Sequence, residues 1–143
     1  MGLDVYLYRK TYIGDNDKVK KALKGLIKGV NPDRLDYIIE EVGYWRKFNA
    51  LHRWFVLNCQ DGNDDCGLHY VDPEQLEALI HELEEVDVDH SKADDLMPTK
   101  GGFFFGDTKY DDDYFDDIKE TIELLKRILK EPNQGVYLYQ SSW

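Results

Sequence analysis

The sequence has only two cysteines among its 143 residues, Cys59 and Cys66. Small secreted domains that depend on disulfides usually carry four or more cysteines, so we expect two free thiols in a reducing compartment. No apolar run approaches the roughly 18–20 residues that a membrane span requires. The N-terminal residues also lack the basic-then-apolar order of a signal peptide. These absences predict a soluble cytoplasmic protein that does not engage a membrane.

Several motifs that define enzyme classes are also missing. The chain has no phosphate-binding loop, no dinucleotide-binding glycine motif, no nucleophile elbow and no HExxH zinc motif. Their absence disfavours a catalytic function and predicts no cofactor. A binding function is the simpler expectation.

Positive charge is scarce, with 18 Lys and Arg against 29 Asp and Glu and a net charge of −11. Direct binding to a nucleic acid backbone is disfavoured, because such binding requires a basic surface. The charge is uneven, however: residues 1–60 carry a net +4 and residues 61–143 a net −15. These complementary halves predict self-association into a homo-oligomer. Acids are absent from residues 18–32 and 42–60, so either segment can hold a small anion over short distances.

Hydrophobic periodicity predicts one α+β domain over residues 1–143, with about four helices and a mixed sheet of four to five strands. The composition, 42% hydrophobic and 33% charged, is ordinary for a globular domain. Runs of β-branched and aromatic residues predict strands, and apolar stripes with a 3.6-residue period predict helices. The predicted strands are 3–13, 36–46, 67–71, 103–105 and 136–140, and the predicted helices are 17–29, 47–59, 73–86 and 111–130.

A short repeat links the two ends of the chain. The letters Val-Tyr-Leu-Tyr occur at residues 5–8 and again at 136–139. Exposed strand edges need a partner, so we expect the first and last strands to lie side by side. Residues 87–102 are polar and acidic, and they are predicted to be the longest irregular segment.

The acid-free segment 42–60 holds the candidate phosphate-binding residues. Arg46, Asn49 and Arg53 have the i, i+3, i+7 spacing of one helix face. Two guanidiniums on one face can fork onto a phosphate, and Lys47 adds a third cation. The opposing interpretation is that these arginines pair with some of the 29 acids of the chain.

Aromatic and polar residues complete this candidate site. Tyr44 and Trp45 precede the predicted helix N-terminus. The N-terminus favours an anion, and either aromatic ring offers a surface on which a base can stack. Trp143 offers another stacking ring near the end of the chain. We expect the polar edges of the ligand to contact Asn49, Gln140 and Ser141. The opposing interpretation assigns the tryptophans to the hydrophobic core.

Catalysis and zinc binding are weaker interpretations of the same region. His52 lies on the apolar side of the predicted helix, where a buried, hydrogen-bonded histidine is commoner than a catalytic base. Cys59 and a histidine would form a nucleophilic pair, but no sequence signature supports one. Six residues separate Cys59 from Cys66, a spacing that fits no common zinc motif even with His52 and His69 nearby.

Calcium binding is disfavoured for a similar reason. Residues 61–72 resemble an EF-hand loop in the spacing of their acids, but the sixth position is Cys66 instead of Gly and the twelfth is Asp72 instead of Glu. A polar turn is the better interpretation, and we expect no resident metal. The acidic run at 107–117 is typical of a solvated helix start, although it would also serve as a phosphate-mimicking surface.

Six short segments spread over nearly the whole chain have distinctive sequences: Met1–Lys10, Glu41–Asn49, His52–Phe55, Asp64–Gly67, Gly102–Gly106 and Tyr139–Trp143. In these segments the chain resembles a group of small phage and prophage proteins of unassigned function. The resemblance implies no particular activity, cofactor or site residue. It does imply a context, because small phage proteins often counteract host defence by sequestering nucleotide signals or by blocking defence proteins.

The leading hypothesis is a non-enzymatic binder of a small, phosphate-containing nucleotide-type ligand, acting in the host cytoplasm as a sponge for an immune signal. A second hypothesis is an acidic inhibitor that occupies the basic surface of a host defence or DNA-binding protein. A third is a small hydrolase that uses His52 or Cys59. The three hypotheses differ in the residues that they require.

Overall fold

Side chains of the first strand alternate between buried and partly exposed positions, as in a strand with one covered face. The computed structural model describes residues 2–143, and this part of the chain contains four strands and five α-helices. Two short 3-10 turns, Pro32–Arg34 and His90–Lys92, supplement them. In chain order the elements are β1 (Asp4–Tyr12), α1 (Asp17–Leu23), β2 (Tyr37–Arg46), α2 (Asn49–Cys59), β3 (His69–Val71), α3 (Pro73–Val88), α4 (Ala93–Leu96), α5 (Asp112–Lys130) and β4 (Val136–Ser142).

The strands form one sheet in the order β2-β1-β4-β3. β1 pairs with β4 over seven residues, from Asp4 opposite Ser142 to Lys10 opposite Val136. The predicted adjacency of the first and last strands is therefore confirmed. With one sheet and helices on it, the predicted α+β class of a single domain is confirmed as well.

The sheet is antiparallel in all three strand pairs, so the expectation of a mixed sheet is wrong. The expectation assumed single-helix crossovers between neighbouring strands. Instead β1 and β2 form a long hairpin, and the chain leaves β3 along α3 and returns along α5 before it enters β4. A return along two helices brings the chain back to the end of the sheet where it left, which makes β3 and β4 antiparallel.

Several predicted boundaries are wrong. The helix predicted at 17–29 ends at Leu23, because Gly25 and Gly29 adopt φ of 77° and 83° and no residue of α1 is buried. The strand predicted at 103–105 is a turn, which leaves four strands in residues 2–143. The irregular segment predicted at 87–102 contains α4 and a 3-10 turn.

The core lies between the inner face of the sheet and helices α2, α3 and α5. Leu7 of β1 and Tyr139 of β4 face each other across the central strand pair and are completely buried. α5 has the strong apolar stripe that the sequence predicts, with Ile118, Ile122 and Leu125 buried. Each fully buried aliphatic side chain of this kind contributes about 1.5–3 kcal/mol to stability. Within residues 2–143, no helix is long and apolar enough to cross a membrane.

Candidate functional site

The strand register brings distant parts of the sequence together at one end of the sheet. Asp4 of β1 pairs with Arg46 of β2 on one side and with Ser142 of β4 on the other. The residues that adjoin these positions, among them Tyr44, Lys47 and Trp143, therefore lie at or near the same end. Residues from both halves of the chain therefore form the candidate site.

Arg46 is engaged by a carboxylate of its own chain. Its Nη1 donates to both carboxylate oxygens of Asp4 at 2.7 Å, and the hydroxyl of Tyr44 donates to the same group. The Tyr44 hydrogen bond, and after it the Arg46 guanidinium, lowers the pKa of Asp4 below its usual range. Arg46 is therefore paired with an acid, as the opposing interpretation of the arginines expects.

Lys47 has an unusual backbone and a confined side chain. Its φ of 58° is rare for a residue other than glycine, and its amide donates to the Leu3 carbonyl at 2.7 Å. Its side-chain stem passes between Gly2 and Gly106, where an added Cβ would lie 3.1 Å from a carbon of the stem in each case. The two glycines therefore leave room for the lysine.

Two adjoining cavities share Lys47, and together we call them the Lys47 site. The first has a volume of about 270 Å³ and includes Arg46, Asn49, Thr99, Lys109 and Tyr114 in its wall. The second has a volume of about 250 Å³ and is bordered by Gly2, Lys47, Gly102, Phe103, Phe104 and Gly106. Lys47 forms no ion pair with any residue from 2 to 143.

Asn49 holds the loop that closes the Lys47 site. Its Nδ2 donates to the carbonyls of Phe105 at 3.0 Å and Asp107 at 2.8 Å, and its Oδ1 accepts from the amide of Lys100 at 2.9 Å. The Leu3 amide donates to the Phe104 carbonyl at 2.8 Å on the other side of the loop. The Asn49 amide group, which was predicted to contact the ligand, instead forms hydrogen bonds that hold residues 100–107 in place.

Four carboxylates also line the first cavity. Asp107, Asp111, Asp113 and Asp117 belong to the wall, near the first turns of α2 and α5. Asp111 accepts the Tyr114 amide as the N-cap of α5, and Asp107 lies 3.6 Å from the Lys109 ammonium. Burial, and after it the neighbouring acids, raises the pKa of Asp117 to about 6. The cavity therefore offers both cations and a carboxyl that holds its proton unusually well.

The structure does not bring all predicted binding residues together. Trp45 is buried, and its indole donates to the Thr121 hydroxyl at 2.9 Å, so it cannot stack on a ligand in this conformation. Ser141 is buried on the inner face of β4, and the Gln140 amide donates to the Cys66 carbonyl at 3.4 Å. Arg53 lies within α2 and borders neither cavity of the Lys47 site.

The helix face predicted from Arg46, Asn49 and Arg53 does not exist. Arg46 is the last residue of β2, and α2 begins at Asn49. Because Lys47 adopts a left-handed conformation, it turns the chain between strand and helix. The i, i+3, i+7 spacing holds only inside one continuous helix, and the prediction extended the helix across this break.

A chain of hydrogen bonds runs beneath the loop from the core to the surface. His52 is buried; its Nδ1 bonds with the Tyr139 hydroxyl and its Nε2 with Asp64 at 2.9 Å. Asp64 accepts in turn from the indole of half-exposed Trp143 at 3.0 Å. Phe105 contacts both the His52 and the Trp143 rings edge-on. Trp143 thereby packs beside the loop of the Lys47 site and outside its two cavities.

The groups proposed for hydrolysis are poorly placed for it. His52 is completely buried, and its two ring nitrogens are already bonded to Tyr139 and Asp64, so neither nitrogen is available to a substrate. Burial raises the pKa of the Cys59 thiol to about 12, which suppresses the reactive thiolate. Among residues 2–143, no group of three or more His, Cys, Asp or Glu side chains is placed to hold a metal ion.

Sequence reasoning missed the most exposed aromatic residue of the site. Phe103 is 93% exposed and borders the second cavity. Its segment was predicted as a buried strand from its three aromatic residues, whereas the glycines that flank it, Gly101–Gly102 and Gly106, were the signal for a loop. Asp117 was also missed, because its burial depends on the packing of α5.

Comparisons with protein-family models, curated proteins and solved structures gave no match to this chain. The geometry of the Lys47 site is therefore the basis on which a function is proposed.

Proposed function

We propose that the protein binds a small, phosphate-containing, nucleotide-type ligand at the Lys47 site and does not alter it chemically. The observation that supports the proposal most directly is Lys47 itself. Its backbone is held in a strained conformation, its stem runs between two glycines, and it borders two cavities without a carboxylate partner in residues 2–143. A lysine is a common phosphate ligand because its ammonium acts as a compact point charge.

Two further residues of the site suit other parts of such a ligand. Phe103 presents an exposed ring beside Lys47, and a base that stacks on an aromatic side chain gains about 1–3 kcal/mol. Asp117 lines the first cavity, and its carboxylate is able to accept a hydrogen bond from an amino group. In this proposal Phe103 takes the stacking role that the sequence assigned to Trp45.

The biological role that we propose is sequestration of a nucleotide signal of host defence. The resemblance to small phage proteins supports this context. A sponge must bind at nanomolar concentration, which corresponds to about −12 kcal/mol. One stacked base and charge-assisted bonds to phosphate in a cavity supply interactions of this kind.

The first experiment identifies the ligand and its contacts. Native mass spectrometry of freshly purified protein, followed by ³¹P NMR of the small molecules released on denaturation, is expected to show a phosphorus-containing ligand. Adenosine diphosphate and inorganic pyrophosphate then serve as calorimetric probes. Lys47→Gly is expected to weaken pyrophosphate binding about ten- to a hundredfold, since a bond to a charged group is worth roughly 1.5–3 kcal/mol. Lys119→Ala, which removes an exposed lysine of α5, is the matched control.

A second pair of variants separates this proposal from the acidic-inhibitor hypothesis. Asp112 and Asp116 are exposed on α5 and border neither cavity. The double change Asp112→Asn/Asp116→Asn is expected to leave probe binding and anti-defence activity intact. If it abolishes anti-defence activity while Lys47→Gly does not, the acidic surface is the functional one. If wild-type protein releases no phosphorus compound and binds neither probe, the proposal is wrong.

A further inference from the structure

Residues 14–35, which we call the lysine arm, project from the β1–β2 hairpin and contribute nothing to the core. No residue of the arm is buried, including those of α1 and of the 3-10 turn at Pro32–Arg34. Isolated helices shorter than about 12–15 residues are marginal in water. The seven-residue α1 therefore has little within its own chain to stabilise it.

The arm carries an apolar surface that nothing in residues 2–143 covers. Leu26 is 70% exposed and Ile27 is 57% exposed, and Val30 is exposed as well. The adjoining part of β2 adds Tyr37, Ile38 and Ile39, which are also exposed. Exposed apolar side chains concentrated in one segment often mark an interaction site.

The charge of the arm is opposite to that of the rest of the protein. The arm has six Lys and Arg against three Asp, a net +3, which leaves −14 for the other residues. None of its five lysines forms an ion pair with a residue from 2 to 143. A partner for the arm is therefore expected to be apolar and acidic.

The end of α3 offers a surface with those two properties. A shallow groove of about 250 Å³ is formed by His81, Glu84, Glu85, Val88, Asp89 and Lys92. Val88 is 88% exposed, so the groove has an apolar side chain in water, and three carboxylates belong to it. Glu84 pairs with Lys126 and Glu85 pairs with His81 and Lys92, so an incoming lysine has to share these two carboxylates with their present partners. Asp89 forms no ion pair with a residue from 2 to 143. We call this surface the α3 groove.

We infer that the lysine arm docks on the α3 groove of a second copy of this chain, with Leu26 and Ile27 against Val88 and the arm lysines beside Glu84, Glu85 and Asp89. Reciprocal docking closes the assembly at two copies, whereas a one-way contact would build longer chains. Each surface is used twice in the closed dimer, which helps to reach the roughly 1,200–2,000 Å² that a stable interface buries. The inference does not depend on the function proposed for the Lys47 site.

Sedimentation velocity of the whole protein between 1 and 200 µM tests the inference. Wild type is expected to be a dimer that weakens as salt rises from 50 to 500 mM, because screening reduces the attraction between opposite charges. Leu26→Ser/Ile27→Ser and Val88→Asp are each expected to raise the dimer dissociation constant at least tenfold. Leu57→Ser and Tyr70→Ser, which change exposed apolar residues outside both surfaces, are the matched controls.

A charge exchange makes the test specific for the arm and the groove. Lys20→Glu/Lys21→Glu and Glu84→Lys/Glu85→Lys are each expected to weaken the dimer, and an equimolar mixture of the two variants is expected to restore it. A wild type that stays monomeric, or a ladder of larger assemblies, overturns the inference. So does a dimer that the arm variants disrupt but the groove variants do not, which would indicate arm-to-arm packing. Monomers that cosediment with anionic vesicles would assign the arm to a membrane surface.

Discussion

At the scale of single residues, two neighbouring cations of the site differ in what they can do. Arg46 is held by Asp4 at 2.7 Å, so an incoming phosphate has to compete with a carboxylate that is already in place. Lys47 has no such competitor in residues 2–143. The sequence treats the two as equivalent because Asp4 is 42 residues away from Arg46. Only the pairing of β1 with β2 reveals the difference.

Asp117 makes stability depend on pH. Its folded pKa of about 6 lies above the unfolded value of about 3.9, so the folded protein binds more protons between these two values. Stability therefore falls as pH rises from about 4 to 6. Asp117→Asn removes this loss, and we expect it to stabilise the protein by roughly 1 kcal/mol more at pH 7.5 than at pH 4, after allowance for the screening of a half-exposed group. Urea unfolding at the two pH values measures it.

The control for the pH effect is Asp116→Asn, which changes an exposed carboxylate on the same helix. We expect its effect on the free energy of unfolding to be nearly the same at both pH values. An equal pH dependence in the two variants would mean that the net charge of α5, and not the burial of Asp117, controls the titration.

Asn49 is expected to matter for stability more than for ligand contact. Asn49→Ala leaves the Phe105 and Asp107 carbonyls and the Lys100 amide without their present partners. Because an unsatisfied buried polar group costs about 1–3 kcal/mol, we predict a loss of roughly 2–3 kcal/mol in urea unfolding and faster amide hydrogen exchange in residues 100–107. Asn63→Ala, at an exposed position, should cost far less. Unchanged exchange in the loop would contradict the bracing role.

At the scale of elements, the junction between β2 and α2 explains why the site was only partly predictable. The β-branched and aromatic residues of β2 and the apolar stripe of α2 are both visible in the sequence, and both elements are present. The left-handed turn at Lys47 is not visible, because no glycine or asparagine occupies that position to signal it. The relative direction of the side chains on either side of the turn was therefore mispredicted.

Helices α5 and α1 show that a helical period in the sequence does not determine how long the helix is. Both have the helical period, but α5 buries its apolar stripe against the sheet and forms over its predicted length. α1 buries nothing and stops after Leu23. Periodicity predicts which face of a helix is able to be buried, whereas the length that forms depends on whether a partner surface covers that face.

The backbone strain at Lys47 gives a prediction that is independent of any ligand. At φ of 58°, glycine avoids the steric cost that a Cβ adds, although it loses more backbone entropy on folding. We expect Lys47→Gly to be about 0.5–1 kcal/mol more stable than Lys47→Ala. The two variants lose the same charge, so the comparison isolates the backbone effect. Thermal unfolding measures it, and a more stable alanine variant would show that the turn is relaxed in solution.

At the scale of the whole molecule, the chain divides into an acidic body and a basic arm. The first and last strands, β1 and β4, lie next to each other at the centre of the sheet, so the body contains both of them. The arm leaves this body through the outer half of the β1–β2 hairpin. The sequence predicted the charge asymmetry and the adjacent terminal strands. It did not predict the exposure of the arm. Residues 17–29 have apolar residues at a helical period with lysines between them, and this pattern is equally typical of an amphipathic helix that packs on a core.

The last prediction is that the body folds without the arm. The hairpin pairs Tyr12 with Tyr37, and the Ile13 amide donates to the Asp36 carbonyl at 2.7 Å, so a two-residue turn fits between Ile13 and Asp36. Replacing residues 14–35 by Asn-Gly removes no buried side chain and shortens the loop, which lowers its closure entropy by about 2 kcal/mol. We expect one cooperative thermal transition, a Tm no lower than that of wild type, and a monomer in sedimentation.

The matched control for this shortened chain deletes residues 14–36 and inserts the same turn. The deletion of one more residue shifts β2 by one position against β1. Side chains of a strand alternate between faces, so this shift would turn Trp45 away from the core and Tyr44 towards it. We therefore expect the control to unfold at a much lower temperature. If both shortened chains unfold alike, well below wild type, the arm is part of the folding unit and its separation from the body is wrong.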